Sequence, residues 1–384
     1  MSMTFLDLFA GAGGFSLGLE MAGLSPVGAV EFDRFACQTF RANFPETPLY
    51  EGDVRALTNR SIKSRFGGVD LIVGGPPFQG FSVAGPSQYG KLDDRNFLIF
   101  EMLKFVQLLR PKMFIVENVK GLLSGKLSPE RRAFHEFIAR VSVAGYKTRH
   151  FVLQAADYGA PQWRERVVIF GAIDDACLPD MISPKFGTSR RPWRKVEDAL
   201  SDLPLVDSGE GTEDLCPYHS KPKNNYQKWL RKGMSGVFNH VAMKHTPRLI
   251  SRFKLIPQGG SLVDVPSEHG QRVRNGDGLD VRARFKMNNQ RLDPLKISTA
   301  VTASFQSNFV HPYLHRNLTA REGARLQTFP DHFVFYGPRT LMSKTLLARE
   351  GRNDEIGLSQ YNQIGNAVPP LMAMAIGEEL VAGL

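Results

Sequence analysis

Val69-Asp70-Leu71-Ile72-Val73-Gly74-Gly75-Pro76-Pro77-Phe78-Gln79-Gly80-Phe81-Ser82 decides how the rest of the chain is read. An apolar run rich in β-branched residues ends in two glycines and two prolines, the pattern of a buried strand running into a sharp turn. Ligands of open α/β sheets bind at the carboxyl ends of the strands. The turn from Gly74 to Gln79 is therefore expected at the floor of a site.

Similar units flank it on both sides. Phe5 to Phe9 predicts a first strand, then a glycine turn and a helix from Phe15 to Met21. Val27 to Glu31 predicts a second strand, Arg34 to Asn43 a helix, and Leu49 to Val54 holds a short third strand closing on Asp53. After the opening stretch come a helix from Phe97 to Leu109, a strand from Met113 to Asn118 and a helix from Pro129 to Val143. Two strands follow, Tyr146 to Leu153 and Glu165 to Gly171. Alternating strands and helices predict an α/β fold with a mixed, mostly parallel sheet covered on both faces. From Ser183 to Gln290 the periodicity fades. It returns near Ile297, with helices from Thr319 to Gln327 and from Pro370 to Val381. The expected division is 1–182, a smaller irregular domain at 183–290, and a return of 291–384 to the first domain.

The chain of 384 residues carries a formal charge of +10. Between Ser183 and Gln290 there are 19 Lys+Arg against 11 Asp+Glu, a surplus of 8, so most of the excess sits in one segment. A basic segment of this kind suits a polyanion, most simply nucleic acid. Cys37, Cys177 and Cys216 show no paired spacing, so neither a metal site nor a disulfide framework is indicated, and a reducing cytoplasm fits. The amino-terminal residues lack the pattern of a signal peptide, and no apolar run reaches the length of a membrane span.

Ala10-Gly11-Ala12-Gly13-Gly14 lies between a strand and a helix, where glycines let a ligand approach backbone N–H donors. Glu31 ends the next strand and suits ribose hydroxyls. A dinucleotide fingerprint would need glycine at position 16, which is Ser16, so a nucleoside cofactor without pyrophosphate fits better. S-adenosyl-L-methionine is the natural candidate, and a nicotinamide oxidoreductase is a distant rival.

Taken together, these blocks resemble the DNA cytosine-5 methyltransferases over roughly 4–171 and 291–384. Gly74 to Gln79 is similar to the block that carries the family's nucleophile, but Phe78 stands where the family has cysteine. Glu117-Asn118-Val119 matches the acid motif, and Gln162-Trp163-Arg164-Glu165-Arg166 matches Gln-x-Arg-x-Arg. Arg321 to Pro330 and Gln363 to Pro370 match the closing blocks.

The resemblance implies covalent catalysis, in which a thiolate adds to carbon 6 of a cytosine rotated out of the duplex and activates carbon 5 for the methyl group. It implies a catalytic set at Phe78 (the nucleophile position), Gln79, Glu117, Arg164 and Arg166. Arg166 is the base contact and Arg164 a phosphate or supporting partner. Gly80 to Lys91 resembles the loop that closes over the base. The implied cofactor set is Phe9, Ala10, Gly11, Ala12, Gly13, Gly14, Glu31, Phe32, Asp53, Val54, Pro76, Leu98, Asn366 and Val368, with S-adenosyl-L-homocysteine as product. Ser183 to Gln290 corresponds to the target recognition domain, with Lys244, Arg248, Arg252, Arg272, Arg274, Arg282 and Arg284 as candidate contacts to double-stranded DNA.

Further expectations are a monomer, no metal, and a restriction endonuclease acting on the same site without a stable complex. Phenylalanine has no lone pair to offer carbon 6, so the chain as written is expected not to transfer methyl groups. Either the nucleophile was replaced to stop turnover, or the chain is a natural DNA-binding pseudo-methyltransferase. The intact remaining motifs favour the first. An RNA methyltransferase of the same fold is the other rival, disfavoured by the long basic segment.

Overall fold

The computed structural model describes residues 2–77, 98–128, 131–270, 288–340 and 344–382. They form two compact units: Met1–Gly159 with Arg164–Gly187 and Ala367–Leu384, and Ala160–Trp163 with Thr188–Asn366. Residues 291–366 thus group with the second unit, and only the last segment groups with the first.

The first unit is built on β1 (Thr4–Leu8), β2 (Ser25–Glu31), β3 (Leu49–Glu51), β4 (Leu71–Gly74), β5 (Met113–Asn118), β6 (Lys147–Gln154) and β7 (Glu165–Ala172). They form one seven-stranded sheet in the order β3-β2-β1-β4-β5-β7-β6. The first five strands run parallel, and β7 runs antiparallel to both neighbours. The predicted mixed, mostly parallel sheet is found. β4 is buried along its whole length, as a central parallel strand covered on both faces must be. Leu8 pairs with Gly74, and Gly74 with Val116, so the residues just beyond them reach the same edge of the sheet.

The helices of this unit are α1 (Gly14–Met21), α2 (Arg34–Asn43), α3 (Asn59–Phe66), α4 (Leu98–Leu109), α5 (Ala133–Val143) and α6 (Pro370–Ala382). α5 begins at Ala133 rather than at Pro129. Lys126–Ser128 pairs with Arg131–Arg132, Arg132 is extended, and the Ala133 N–H is spent on the Gly125 carbonyl.

α6 comes from the far end of the chain and lies against α1. A β-carbon on Gly18 would sit 2.4 Å from both the Ala373 Cβ and the Pro370 carbonyl oxygen. Only hydrogen fits there, so the two backbones approach closely. Gly18→Ala is expected to cost roughly 1–3 kcal/mol or more through overpacking, read as a lower urea midpoint with unchanged slope.

The second unit has short elements, among them the helices Val196–Leu200, Asn225–Leu230, Pro247–Leu255 and Ala320–Leu326. Its interior holds a buried polar network among apolar side chains. Thr319 and Glu322 form a reciprocal cap at the start of Ala320–Leu326. Arg316 grips Glu322 with two bonds of 2.8 Å. Arg325 joins Asp331, at 2.9 and 2.6 Å, to Asp202, and all three are fully buried. Buried charges persist only when paired. Arg325→Met removes the cation that the two buried carboxylates share, leaving Asp202 with Arg231 at 3.0 Å and Asp331 with Arg321 at 4.0 Å and the Tyr218 hydroxyl. The expected loss is about 3–5 kcal/mol in urea unfolding. A loss below about 1 kcal/mol would show that the network is not holding this unit together.

Candidate active site

The carboxyl ends of β1, β2, β4 and β5 share one edge of the sheet. At the end of β1 the chain turns sharply, with Phe9 at φ 59°, Gly11 at 57° and Gly13 at 93°. The Ala10 N–H donates to the Val30 carbonyl at 3.1 Å, tying the turn to β2. A β-carbon on Gly13 would lie 2.3 Å from the Phe44 ring, so glycine is required there twice over. Nothing lies within 4 Å of a β-carbon built on Gly11, so the turn opens onto free space.

Glu31 closes β2. Its Oε2 accepts the Gly11 N–H at 2.7 Å, and its Oε1 accepts those of Phe32 and Asp33 at 2.9 and 2.7 Å. Burial pushes the carboxyl upward, and the backbone donors hold it back. The Phe32 ring is 72% exposed beside it, an aromatic face available for stacking. Asp53 is gripped by Arg55 at 2.6–3.0 Å, which lowers its pKa. Ala12, Gly14 and Val54 are buried, Ala10 nearly so, and Leu98 is half-buried at the start of α4. Val368 is buried in the first unit, whereas Asn366 is exposed at the end of the helix Gln360–Asn366 of the second unit. An open glycine turn, a strand-end carboxylate and an exposed aromatic ring suit a nucleoside.

The second half of the site forms around β5 and β7. Glu117 is buried opposite Val168, with its Oε1 2.9 Å from the Nε of Arg166. Its Oε2 is 3.4 Å from the point a β-carbon on Gly75 would occupy. The acid therefore stands beside the turn that leaves β4. The Asn118 amide donates to the Pro76 carbonyl at 2.9 Å and fixes that turn to β5. Burial pushes the Glu117 carboxyl up, against the pull of Arg166 and Arg164. Arg164 is 2% exposed and donates to the Ala367 carbonyl at 3.1 Å. Burial lowers the pKa of both guanidinium groups. Two arginines at alternate strand positions commonly mark a solvated face, but these two are drawn inward around one acid. A buried carboxyl with a raised pKa beside a cation is placed to give or hold a proton.

Phe78, Gln79 and the segment Gly80 to Lys91 lie outside the described residues, as do Arg272, Arg274, Arg282 and Arg284. Of the remaining basic candidates, Lys244 and Arg248 are exposed, and Arg248 donates to the Gly270 carbonyl at 3.0 Å. Arg252 is buried, and its guanidinium holds the carbonyls of His269 and Gly270 at 2.6 Å. Its geometry is that of a loop anchor.

Sequence reasoning gave no role to Asn118 or to Asp7. Asp7 lies in β1 and is buried, accepting a 2.6 Å hydrogen bond from the Ser16 hydroxyl. Burial raises its carboxyl from 3.8 to about 7, with Ser16 opposing and Glu31 reinforcing. A folded-state pKa above the unfolded value means that stability is full below pH 3.8. It declines as pH rises toward 7 and is level beyond, by about 4 kcal/mol at most. Asp7→Asn keeps an acceptor for Ser16 and removes this decline. The variant is expected to gain on the order of 1–3 kcal/mol at pH 8, with no gain at pH 4. Urea unfolding at both pH values checks this, and an equal difference at both would refute it.

The family model for C-5 cytosine-specific DNA methylase matches residues 3–382. The type II methyltransferase M.DdeI of Desulfomicrobium norvegicum is 44% identical over 98% of this chain and 88% of its own length. M1.HphI of Haemophilus parahaemolyticus is 34% identical over 99% and 87%. Among solved structures, a prophage-encoded protein of E. coli assigned as a DNA modification methyltransferase superposes with a TM-score of 0.75 at 27% identity, covering 99% of both chains. DNMT2 of Spodoptera frugiperda, at 16% identity and a TM-score of 0.58 over 99% of this chain and 100% of its own, shares the fold.

Proposed function

The chain belongs to the C-5 cytosine-specific DNA methylases, an enzyme family, and from this premise we propose that it holds S-adenosyl-L-methionine and duplex DNA while Phe78 withholds the methyl transfer itself. The observation that carries the reading is Glu117 beside the Gly75–Pro76 turn, with Arg166 at 2.9 Å. A cytosine turned out of the duplex would meet an acid for its amino edge and ring nitrogen 3, and a guanidinium for its carbonyl oxygen.

The residues at the first strand ends fit the cofactor. The open turn at Gly11 would admit it, Glu31 would hold the ribose hydroxyls, and the exposed Phe32 ring would suit adenine. When bound, the cofactor supplies an electrophilic methyl group. The missing partner is the nucleophile. Phe78 cannot add to carbon 6, and no other cysteine takes its place. Cys37 is buried with its thiol turned to the Glu31 carbonyl at 3.4 Å, and burial raises its pKa strongly. Cys177 and Cys216 lie on other segments.

The parent reaction would be the modification half of a restriction system. A monomer would act in the cytoplasm, alongside a nuclease of the same specificity that it does not bind stably. No described helix is long and apolar enough to cross a membrane. The basic segment around Lys244 and Arg248 would meet the DNA.

The test is tritiated-methyl transfer to duplex DNA by the chain as written and by Phe78→Cys, with binding of cofactor and DNA measured for both. Binding by both with transfer by the variant alone supports the reading. Equal transfer by both overturns it. Binding of DNA with no transfer by either favours the second reading, a regulatory DNA-binding protein.

A further inference from the structure

Two of the three tryptophans meet on the surface of the second unit, and the segment that carries one of them is basic. Trp163 pairs in register with Thr299, and Trp193 lies on the segment that follows Thr188. Their rings contact edge to face, with centroids 5.0 Å apart at 71°. Even in contact they remain 40% and 38% exposed. The segment from Thr188 to Val196 carries Arg190, Arg191, Arg194 and Lys195 and no carboxylate. Arg190, Arg191 and Lys195 are exposed.

This segment is fixed. The backbones of Thr188 and Arg191 bond to each other at 3.1 and 3.2 Å in a tight turn. Arg194 lies 4.0 Å over the Tyr226 ring, and Tyr226 in turn donates to the Arg325 carbonyl at 2.6 Å. The Lys195 N–H donates to Asp198 at 2.7 Å. A solvated basic face would need neither a paired indole platform nor such an anchor. Large apolar rings left in water beside fixed guanidinium groups suit a partner that is polyanionic and also offers flat apolar surface.

We propose that Trp163 and Trp193, with Arg190, Arg191 and Lys195, form a contact for the phosphodiester backbone of duplex DNA, separate from the seven cations read from the sequence. The guanidinium groups pair with phosphate oxygens, and the indole edges lie along the deoxyriboses. Such a contact positions the duplex and carries no sequence information. The inference rests on the reading of the chain as a DNA-binding methylase.

Duplex DNAs of two unrelated sequences, titrated at 50–200 mM salt, test it by anisotropy and tryptophan fluorescence. Arg190→Ala/Arg191→Ala is expected to weaken both duplexes alike and to flatten the plot of log affinity against log salt by about 1.8, roughly 0.9 per phosphate. In the Trp163→Phe/Trp193→Phe protein the DNA-induced quench is expected to vanish, because the remaining Trp229 is stacked on Tyr226. An unchanged slope or a persisting quench overturns the inference. Should the alanine pair melt early, Arg190→Gln/Arg191→Gln carries the same test. A chain that binds no duplex at all sinks the proposed function as well, whereas binding with an unchanged slope sinks this contact alone.

Discussion

Phe78→Cys is expected to raise methyl transfer to duplex DNA by on the order of 10⁴- to 10⁶-fold over the chain as written, the range typical of restoring a missing covalent nucleophile. The substitution replaces an inert benzyl group with a thiol of ordinary pKa near 8.5, a few per cent ionised at pH 7. The neighbouring parts need no change, since Asn118 already fixes the Pro76 carbonyl and Glu117 already stands beside Gly75. On the acid side of its profile the rate of the variant should rise with pH as thiolate accumulates. Initial rates with tritiated cofactor check both statements. A variant that binds DNA and cofactor yet transfers no faster than its parent would refute them.

Glu117→Gln, made in the Phe78→Cys background, is expected to lower kcat by about 10²- to 10⁴-fold, the usual contribution of a positioned general acid. The amide retains the shape of the acid but cannot give a proton to the ring. Burial disfavours the charged form and holds the carboxyl above the ordinary carboxylate range. The Phe78→Cys profile should therefore be bell-shaped, rising with the thiolate and falling as Glu117 loses its proton. The variant should lose the falling limb while DNA affinity changes little. A profile that keeps both limbs would assign the proton to another group.

Much of the first unit was legible because each strand is short, apolar and ended by a breaker. Met113–Asn118 and Arg34–Asn43 are found at their predicted bounds. α3 was not read, since Asn59–Phe66 is mostly polar and buries only Ile62 and Phe66. Glu31 and Glu117 were legible as carboxylates that close apolar strands. The burial of Arg164 was not, because two alternating cations look the same whether they face solvent or an acid donated by another strand. The same holds for Arg252, whose partners are carbonyls 17 and 18 residues away, and for Arg325, whose two carboxylates lie 123 and 6 residues distant. Nonlocal partners of this kind leave no mark on local spacing.

The seating of α6 on α1 also sets an order of events during synthesis. The glycine turn and the helix it opens leave the ribosome early, but the helix against which Gly18 packs is encoded some 350 residues later. At about 5–20 residues per second, α1 waits roughly 20–70 s with that face unclosed. Nascent chains would therefore be vulnerable to chaperone capture and proteolysis until translation of Pro370–Ala382 is complete.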